Sequence, residues 1–424
     1  MLDVLIIGGG AAGFFTAIQT ALANPKLNIA ILERGKEVLT KVKVSGGGRC
    51  NVAHAEFDPR ALTTNYPRGE RELLGPFHTF SSAETMAFFQ ERNVPLKIEA
   101  DGRIFPESNT SQSVIDCFVQ ETDRLGITVL KNSSVIAIQP LDCEKGWQVQ
   151  SIRKVYQAQK VVVASGSNPK IWELLKGLGH SIVPPVPSLF TFNIKDDRII
   201  GIPGVSTTAR VMITGKSKQN SKITVPLKSL APPEALLQSE GPVLITHWGL
   251  SGPAILKLSA WGAVLLNTYD YKFKIRVNWL PDFHENAVLP YLLEVKDIEA
   301  KKTVLRTHAV ALPRRLWINL VKASGISETT KWADISKNQL QQLAQHLCSS
   351  EFQVDGKSTF KEEFVTAGGV DLKEINFKTF ESKLHPNLYF AGEVINVDAL
   401  TGGFNFQNAW TGGYIAAQAI AQTK

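Results

Sequence analysis

Several short runs along this chain are apolar almost throughout, where a half-exposed sheet would alternate. Leu2–Ile7 (LDVLII), Leu27–Leu32, Lys160–Ala164 (KVVVA) and Leu388–Phe390 are of this kind. Such runs mark strands buried on both faces. Helical spacing fills much of the space between them, over Phe14–Ala23, Phe80–Arg92, Ser111–Leu125 and Pro169–Lys176. In Ser111–Leu125 the apolar positions are Val114, Ile115, Phe118 and Val119. Ser82, with Glu84 close behind, is expected to cap the helix over 80–92. Leu96–Ala100, a turn at Asp101–Gly102 leading into Arg103–Pro106, Ile127–Leu130 and Ser134–Gln139 read as strands. Trp147–Ser151 and Lys154–Gln157 read as a hairpin, separate from the buried strand at Lys160–Ala164.

The pattern changes at Pro184-Pro185-Val186-Pro187, a punctuated boundary. Beyond it come short β runs at Leu189–Ile194, Ala209–Thr214, Ile223–Val225 and Val243–Thr246, then the alternating Tyr271–Trp279. Ala231–Gly241 is polar and proline-rich, and Ala254–Ala260 is a short helix. Asn286–Ala300, Arg314–Ser324 and Lys337–Cys348 are helical. The last part returns to the first style, with a strand at Glu363–Thr366, the buried run at Leu388–Phe390 and a closing helix at Gln407–Ala421. The expected fold is therefore α/β. One domain is built from both chain ends, residues 1–188 and 356–424. Residues 189–355 are inserted as a β unit followed by a helical unit.

The first thirty-odd residues supply the chemistry. Leu2–Ile7 runs straight into Gly8-Gly9-Gly10-Ala11-Ala12-Gly13, a helix follows, and the next strand ends at Glu33. Strand, glycine turn, helix, strand and acid are the dinucleotide-binding fingerprint in its required context. Gly8 allows the sharp turn, Gly10 leaves room for a pyrophosphate, and Gly13 lets helix and strand approach. The helix start, from Ala11 and Ala12, offers unpaired N–H groups and a positive dipole end. Glu33 can accept hydrogen bonds from a ribose diol and would repel a 2′-phosphate. The nucleotide is FAD or NAD(H).

Four further stretches bear on that choice. Ser45-Gly46-Gly47-Gly48-Arg49-Cys50-Asn51 is a loop that brings backbone close to an anion or a flat polar ring. Ser165-Gly166, after the buried KVVVA run, is another strand-end turn that presents backbone to a ligand. Ala391-Gly392-Glu393 stands where flavoproteins of two-dinucleotide-binding type carry Ala-Gly-Asp, so Glu393 is expected to bind a ribityl chain. Gly402-Gly403-Phe404-Asn405 sets the closing helix against the ligand, where its N-terminus favours the negative charge of a reduced flavin by roughly 0.3–1 kcal/mol. Asn405 and Asp398 are candidates for hydrogen bonds to the ring and ribityl chain. FAD is therefore the expected cofactor.

His247 is the acid–base candidate by residue type, set against a structural or exposed role. Cys50 is a candidate thiolate beside Arg49 and the loop amides, set against packing near the ring. Tyr66 and Arg103 are candidate substrate contacts on weaker grounds. Net charge is +7 over 424 residues, with Lys36, Lys41, Lys43 and Arg49 beside the phosphate-binding turn. This modest excess suits anionic small ligands better than nucleic acid. The four cysteines, Cys50, Cys117, Cys143 and Cys348, show neither CxxC nor metal spacing. With no unbroken apolar run long enough to span a bilayer and no signal peptide, a cytoplasmic protein without a metal is expected.

Taken in order, these strings resemble the BaiN/YhiN-like bacterial flavoproteins, also described as NAD(P)/FAD-dependent or aminoacetone oxidase-type oxidoreductases. The strings are GGGAAG at 8–13, VSGGGRCN at 44–51, GRIFP at 102–106, THWGLSGP at 246–253, AGE at 391–393 and TGGFN at 401–405. The resemblance covers essentially the whole chain. It implies a Rossmann-like FAD domain interrupted by a β-barrel-like and helical insert. It also carries FAD binding onto Glu33, Arg34, the 45–51 loop, Val135, Gly392, Glu393 and the 402–405 turn. One departure is Val163-Ala164-Ser165-Gly166-Ser167, where the family more often has Ala-Thr-Gly-Gly. The expected function is hydride transfer between flavin N5 and a small organic substrate, with the insert covering the ring's open face. NAD(P)H acting transiently, oxygen or a quinone would close the cycle. A tRNA-modifying flavoprotein and a flavin-binding sensor or carrier without turnover are the alternatives.

Overall fold

The computed structural model describes residues 1–141, 146–216, 237–358 and 365–422. Contacts divide the chain into two units, 1–186 with 361–424, and 187–360. The expected strand at Ile223–Val225, the first part of Ala231–Gly241, Cys143 and the start of Glu363–Thr366 lie outside the described residues.

The first unit is built on parallel strands β1 (Leu2–Ile7), β2 (Ile29–Leu32) and β3 (Thr128–Leu130), a meander of β4 (Val135–Pro140), β5 (Trp147–Ser151) and β6 (Val155–Val163), and β7 (Leu388–Phe390). Across the sheet β7, β6, β1, β2 and β3 run parallel, with Phe390, Val163, Ile7, Leu32 and Leu130 at the same edge. The apolar runs are legible because this sheet is covered on both faces: Val4–Ile7 and Ile29–Leu32 are wholly buried.

The hairpin and the KVVVA run prove to be one strand. Within β6 the burial alternates from Val155 to Lys160 and then becomes continuous. It pairs antiparallel with β5 at its start and parallel with β1 and β7 at its end. The N-terminal helix α1 (Ala11–Ala23) packs against the closing helix α2 (Phe404–Gln422), which starts three residues earlier than its helical spacing suggested. Phe15 and Trp410 meet at 5.2 Å between ring centroids, and burial of each side chain contributes about 2–3 kcal/mol. A Cβ on Gly413 would come within 2.8 Å of Thr16 Oγ1, so glycine lets the helices approach.

One further local finding corrects the sequence reading. The helix at Ser82–Gln90 is capped by Ser81, in a reciprocal capping box with Glu84. The two units divide within Pro184–Pro187, after Val186, and this stretch also ends the strand Ile182–Pro187, paired with Thr366–Val370 in a two-stranded sheet whose edges tolerate proline.

Beyond β7 the sheet ends in short strands Ile375–Asn376 and Glu381–Ser382. A buried polar chain ties them to the rest. His180, wholly inside, lies with Nδ1 2.8 Å from Glu374 Oε2 and Nε2 3.1 Å from Ser382 Oγ. The Ser382 oxygen also accepts from the Leu384 and His385 amides, so its hydroxyl hydrogen goes to Nε2.

The second unit holds an antiparallel seven-stranded sheet in the order Ser350–Asp355, Lys272–Asn278, Ser206–Lys216, Gln238–Ile245, Gly249–Ser251, Thr191–Asn193 and Lys357–Ser358. The helices Glu285–Ile298, Arg314–Ala323 and Lys337–Cys348 sit in the sequence between two neighbouring strands of this sheet, rather than after all of it. The strand Ser350–Asp355 and the helix Ala263–Thr268 were not legible in advance.

Candidate functional site

The C-terminal ends of β1, β6 and β7 converge, as the strand ends do around the switch point of an open α/β sheet. Gly8 has φ +119, and a Cβ there would lie 2.4 Å from the Ala164 carbonyl oxygen at the end of β6. A Cβ on Gly13 would fall 1.9 Å from the Gly8 oxygen. Gly10 caps α1 with no side-chain acceptor, and a Cβ on it would meet nothing within 4 Å. Gly8 and Gly13 are thus glycines for packing, whereas Gly10 faces open space.

At the end of β2 the Glu33 carboxylate is already oriented. Oε2 accepts from the Gly9 amide at 2.9 Å and Oε1 from the Gly35 amide at 2.6 Å. Arg34 beside it is exposed, and Val135 is buried at the start of β4.

The helix Thr40–Gly48 loses helical geometry at Ser45, which has ψ 148. Gly46, Gly47 and Gly48 then take φ of +57, +68 and +84. Side chains at Gly47 and Gly48 would meet nothing within 4 Å, while Gly46 is pressed against Asn51 and Phe105. The loop therefore turns an open backbone surface outward. Its named side chains point the other way. Asn51, with its amide set by its neighbours, donates to Ala53 O (2.9 Å) and Ile104 O (3.2 Å) and accepts from Gly403 N (3.0 Å). Arg49 stacks on Phe105 at 3.9 Å and pairs with Glu99 at 2.7 Å.

Cys50 is fully buried, and burial pushes its thiol up to about 12 against a smaller opposing bond with Ser45. It is a neutral thiol at physiological pH, so the thiolate expected from Arg49 and the loop amides does not form.

At the end of β7, Gly392 (φ +75) lies against Ala12 of α1: a Cβ on it would sit 2.9 Å from the Ala12 Cβ. Glu393 forms an ion pair with Lys41. A Cβ on Gly166, after Ser165, would come 3.7 Å from Glu393 Oε2. One surface thus joins Gly10, Glu33, Lys41, the strand-end turn 165–166 and Glu393.

The turn before α2 is built from inside. Asp398 is wholly buried and paired with Arg68. Asn405 binds Ala399 N at 3.0 Å and Ala399 O at 3.1 Å. Both therefore shape the turn. The expectation for Tyr66 is corrected: it is buried and donates to the Phe404 carbonyl at 2.6 Å, so it is no substrate contact. A Cβ on Gly403 would lie 2.5 Å from the Ala53 carbonyl, so the turn presses on the strand after the glycine loop.

Arg103 pairs with Asp101 at 2.7 Å and Glu99 at 3.4 Å, which commits its guanidinium. His247 is exposed in a tight turn of the second unit, between the strands Gln238–Ile245 and Gly249–Ser251.

Sequence reasoning missed Arg68 and His54. His54 stacks on Phe404 at 4.6 Å, and its Nε2 lies 3.2 Å from the Asp101 carbonyl oxygen. That oxygen only accepts, so Nε2 carries the hydrogen and the buried Nδ1 is left without a partner. The signal was slight: a histidine three residues after Asn51. For Arg68 there was none, because its partner lies 330 residues away.

The open cradles at Gly10, Gly47 and Gly48, with the aligned Glu33 carboxylate, fit an extended dinucleotide. The sequence matches the HI0933-like protein Rossmann domain over residues 2–419. The chain belongs to this family. It is an FAD-dependent oxidoreductase of α/β fold, with FAD as its cofactor, as the fingerprint, the fold class and the resemblance led one to expect.

A ribosomal RNA dihydrouridine synthase of Haemophilus influenzae is 27% identical to it over 99% of this chain and 98% of its own. A 3-dehydro-bile acid delta(4,6)-reductase of Clostridium scindens is 26% identical over 98% of both. The fold is shared with the 3-ketosteroid-delta4-(5alpha)-dehydrogenase of Rhodococcus jostii RHA1, at a TM-score of 0.50 and 12% identity, over 100% of this chain and 97% of that one. Among the described residues no helix is long and apolar enough to cross a membrane, and no three metal-ligating side chains cluster.

Proposed function

We propose that this flavoprotein is a reductase of carbon–carbon double bonds conjugated to a carbonyl, acting on a uracil of ribosomal RNA. The observation that carries the reading is end-to-end similarity to two relatives. One is named for making dihydrouridine in ribosomal RNA, the other for reducing a 3-dehydro-bile acid. The two reactions share one chemistry: a double bond made electrophilic by a conjugated carbonyl takes up two hydrogens. The reading departs from the expectation of a partner list without nucleic acid, and it implies a cytoplasmic protein.

When bound, FAD would supply the hydride, drawn from NAD(P)H, for the carbon β to the carbonyl, with solvent water as the source of the proton at the α carbon. The chain's own residues hold and orient. The first-turn amides of α1, from Ala11 to Gly13, would bind the pyrophosphate, with Gly10 giving room. Glu33, fixed by two amides, would take the adenosine ribose, with Arg34 and Val135 at the same end. Glu393 and its partner Lys41 would hold the ribityl chain beside Ser165 and Gly166. The 46–48 backbone and the Gly402-Gly403 turn would contact the ring, and the α2 N-terminus would favour negative charge there.

A second reading, reduction of a small enone, is favoured by the Clostridium relative. The test is anaerobic: holoprotein reduced with NADPH is mixed with a ribosomal RNA fragment or with a 3-oxo-4-ene steroid. Return of the oxidised-flavin absorbance with RNA supports the first reading. Return with the steroid alone supports the second, and return with neither removes both.

A further inference from the structure

An open groove of about 530 Å³ lies beside β3 in the first unit. One wall is the loop that leaves β3, Lys131, Asn132 and Ser133; the other is the β5–β6 turn, with Arg153 and Lys154, and Tyr156 behind it. Both walls are pinned. The Asn132 amide donates to Gly35 O at 2.9 Å and the Ser133 amide to Glu33 O at 2.7 Å. Across the groove the Ser151 hydroxyl oxygen accepts from the Arg153 and Lys154 amides, each at 3.1 Å. The Ile152 amide donates to Ser134 O at 2.9 Å, which ties the two walls together.

Lys131, Arg153 and Lys154 are exposed on this fixed frame. Among the described residues none of them enters an ion pair, whereas Lys41, Arg49, Arg68 and Arg103 each have an acid. Lys154 lies 4.8 Å from the Tyr156 ring centroid, which aligns the ammonium over an aromatic face. Uncompensated cations held on rigid backbone around a groove match the phosphates of a sugar–phosphate chain.

We propose that this groove docks the phosphodiester backbone of the RNA substrate, so that Lys131, Arg153 and Lys154 contact phosphates. The proposal rests on the reading of the substrate as RNA. It assigns these residues to affinity and register, not to base identity.

The experiment compares wild-type holoprotein with the K131Q/R153Q/K154Q variant in binding a ribosomal RNA fragment at several salt concentrations. FAD content and thermal midpoint are recorded for both. The expected result is a loss of about ten-fold or more in affinity at physiological salt. The slope of log Kd against log salt should fall by about two, from three phosphates at roughly 0.7 each, with FAD content and midpoint unchanged. Equal affinity and slope in a variant of a wild type that binds RNA would overturn the groove alone. Loss of FAD from the variant would also overturn it and make the groove part of the cofactor site. Absence of RNA binding by the wild type would overturn the groove and the substrate reading together.

Discussion

Lys41 and Glu393, 352 residues apart in the chain, form an ion pair that joins the helix before the glycine loop to the end of the last central strand. The two partners differ in setting: the Lys41 side chain is 56% exposed, and that of Glu393 is 15% exposed. The carboxylate is the sheltered member and the one aimed along the strand ends. Glu393→Gln is therefore expected to weaken FAD binding about ten- to a hundred-fold, the cost of losing a hydrogen bond to a charged group at ~1.5–3 kcal/mol. Lys41→Ala is expected to cost under about 1 kcal/mol, as exposed pairs do. Titration of apoprotein with FAD, followed by flavin fluorescence, checks both. Wild-type affinity in the glutamine variant would remove Glu393 from the cofactor site.

Gly10 and Gly13 separate ligand from packing. In Gly10→Ala the added methyl meets no protein atom, and the residue's φ of −96 suits alanine. The apoprotein is expected to keep its stability within about 0.5 kcal/mol and to lose FAD. In Gly13→Ala the methyl would lie 1.9 Å from a backbone oxygen, and a loss of at least ~1–3 kcal/mol is expected from overpacking. Urea unfolding of the two apoproteins distinguishes them. Equal destabilisation would mean that Gly10 is also a packing glycine.

Cys50, Cys117 and Cys348 are all buried, and burial pushes the first two thiols up to about 12. Native protein treated with iodoacetamide near pH 8 should show no alkylation at these positions by peptide mass spectrometry, and unfolded protein should show all of them. Cys50→Ser is expected to retain turnover within about ten-fold, because a neutral buried thiol is no nucleophile. A thousand-fold loss with the FAD content intact would restore Cys50 as a catalytic group.

The His180–Glu374–Ser382 chain makes stability depend on pH. Burial lowers the pKa of His180, Glu374 opposes the shift, and His385 adds to it. In Glu374 burial is outweighed by hydrogen bonds from Ser181 and His180, so that its pKa too is lowered. A histidine depressed in the folded state contributes stability that is full above its ordinary value near 6.5 and is lost as the pH falls through the lowered folded value. The glutamate acts in the same direction at more acid pH. Burial lowers His346 as well, which adds to the loss. The thermal midpoint should therefore drop by several degrees between pH 7 and pH 5, with a smaller drop in His180→Asn. A flat profile in the wild type would contradict the assignment.

What the sequence disclosed follows from how local each constraint is. The parallel core was legible because β1, β2 and β7 are buried on both faces, and burial on both faces removes alternation. The glycine turn was legible because Gly8 and Gly13 answer to neighbours brought together by one strand–helix unit. Strand β6 was split in the reading because its burial period changes where it leaves the meander for the centre of the sheet. Side-chain commitments were the hardest part. Asp398, Asn405 and Tyr66 look like ligand groups by residue type, yet their partners are Arg68, Ala399 and Phe404, contacts that depend on the folded turn. Arg49 and Asn51 are absorbed by Glu99, Phe105, Ala53 and Gly403 in the same way. The backbone of the 46–48 loop keeps its open face, and there the glycines were the reliable signal.

The claim that the substrate is a uracil of ribosomal RNA is tested most directly by nucleoside mass spectrometry. Ribosomal RNA from cells lacking this protein is incubated with purified holoprotein and NADPH without oxygen, then digested and measured. The expected result is a uridine that gains two hydrogens only when both protein and NADPH are present, and that is already converted in RNA from the parent cells. Ribosomal RNA with no dihydrouridine difference between the two strains, and none formed by holoprotein whose FAD is reduced by NADPH, would contradict the account.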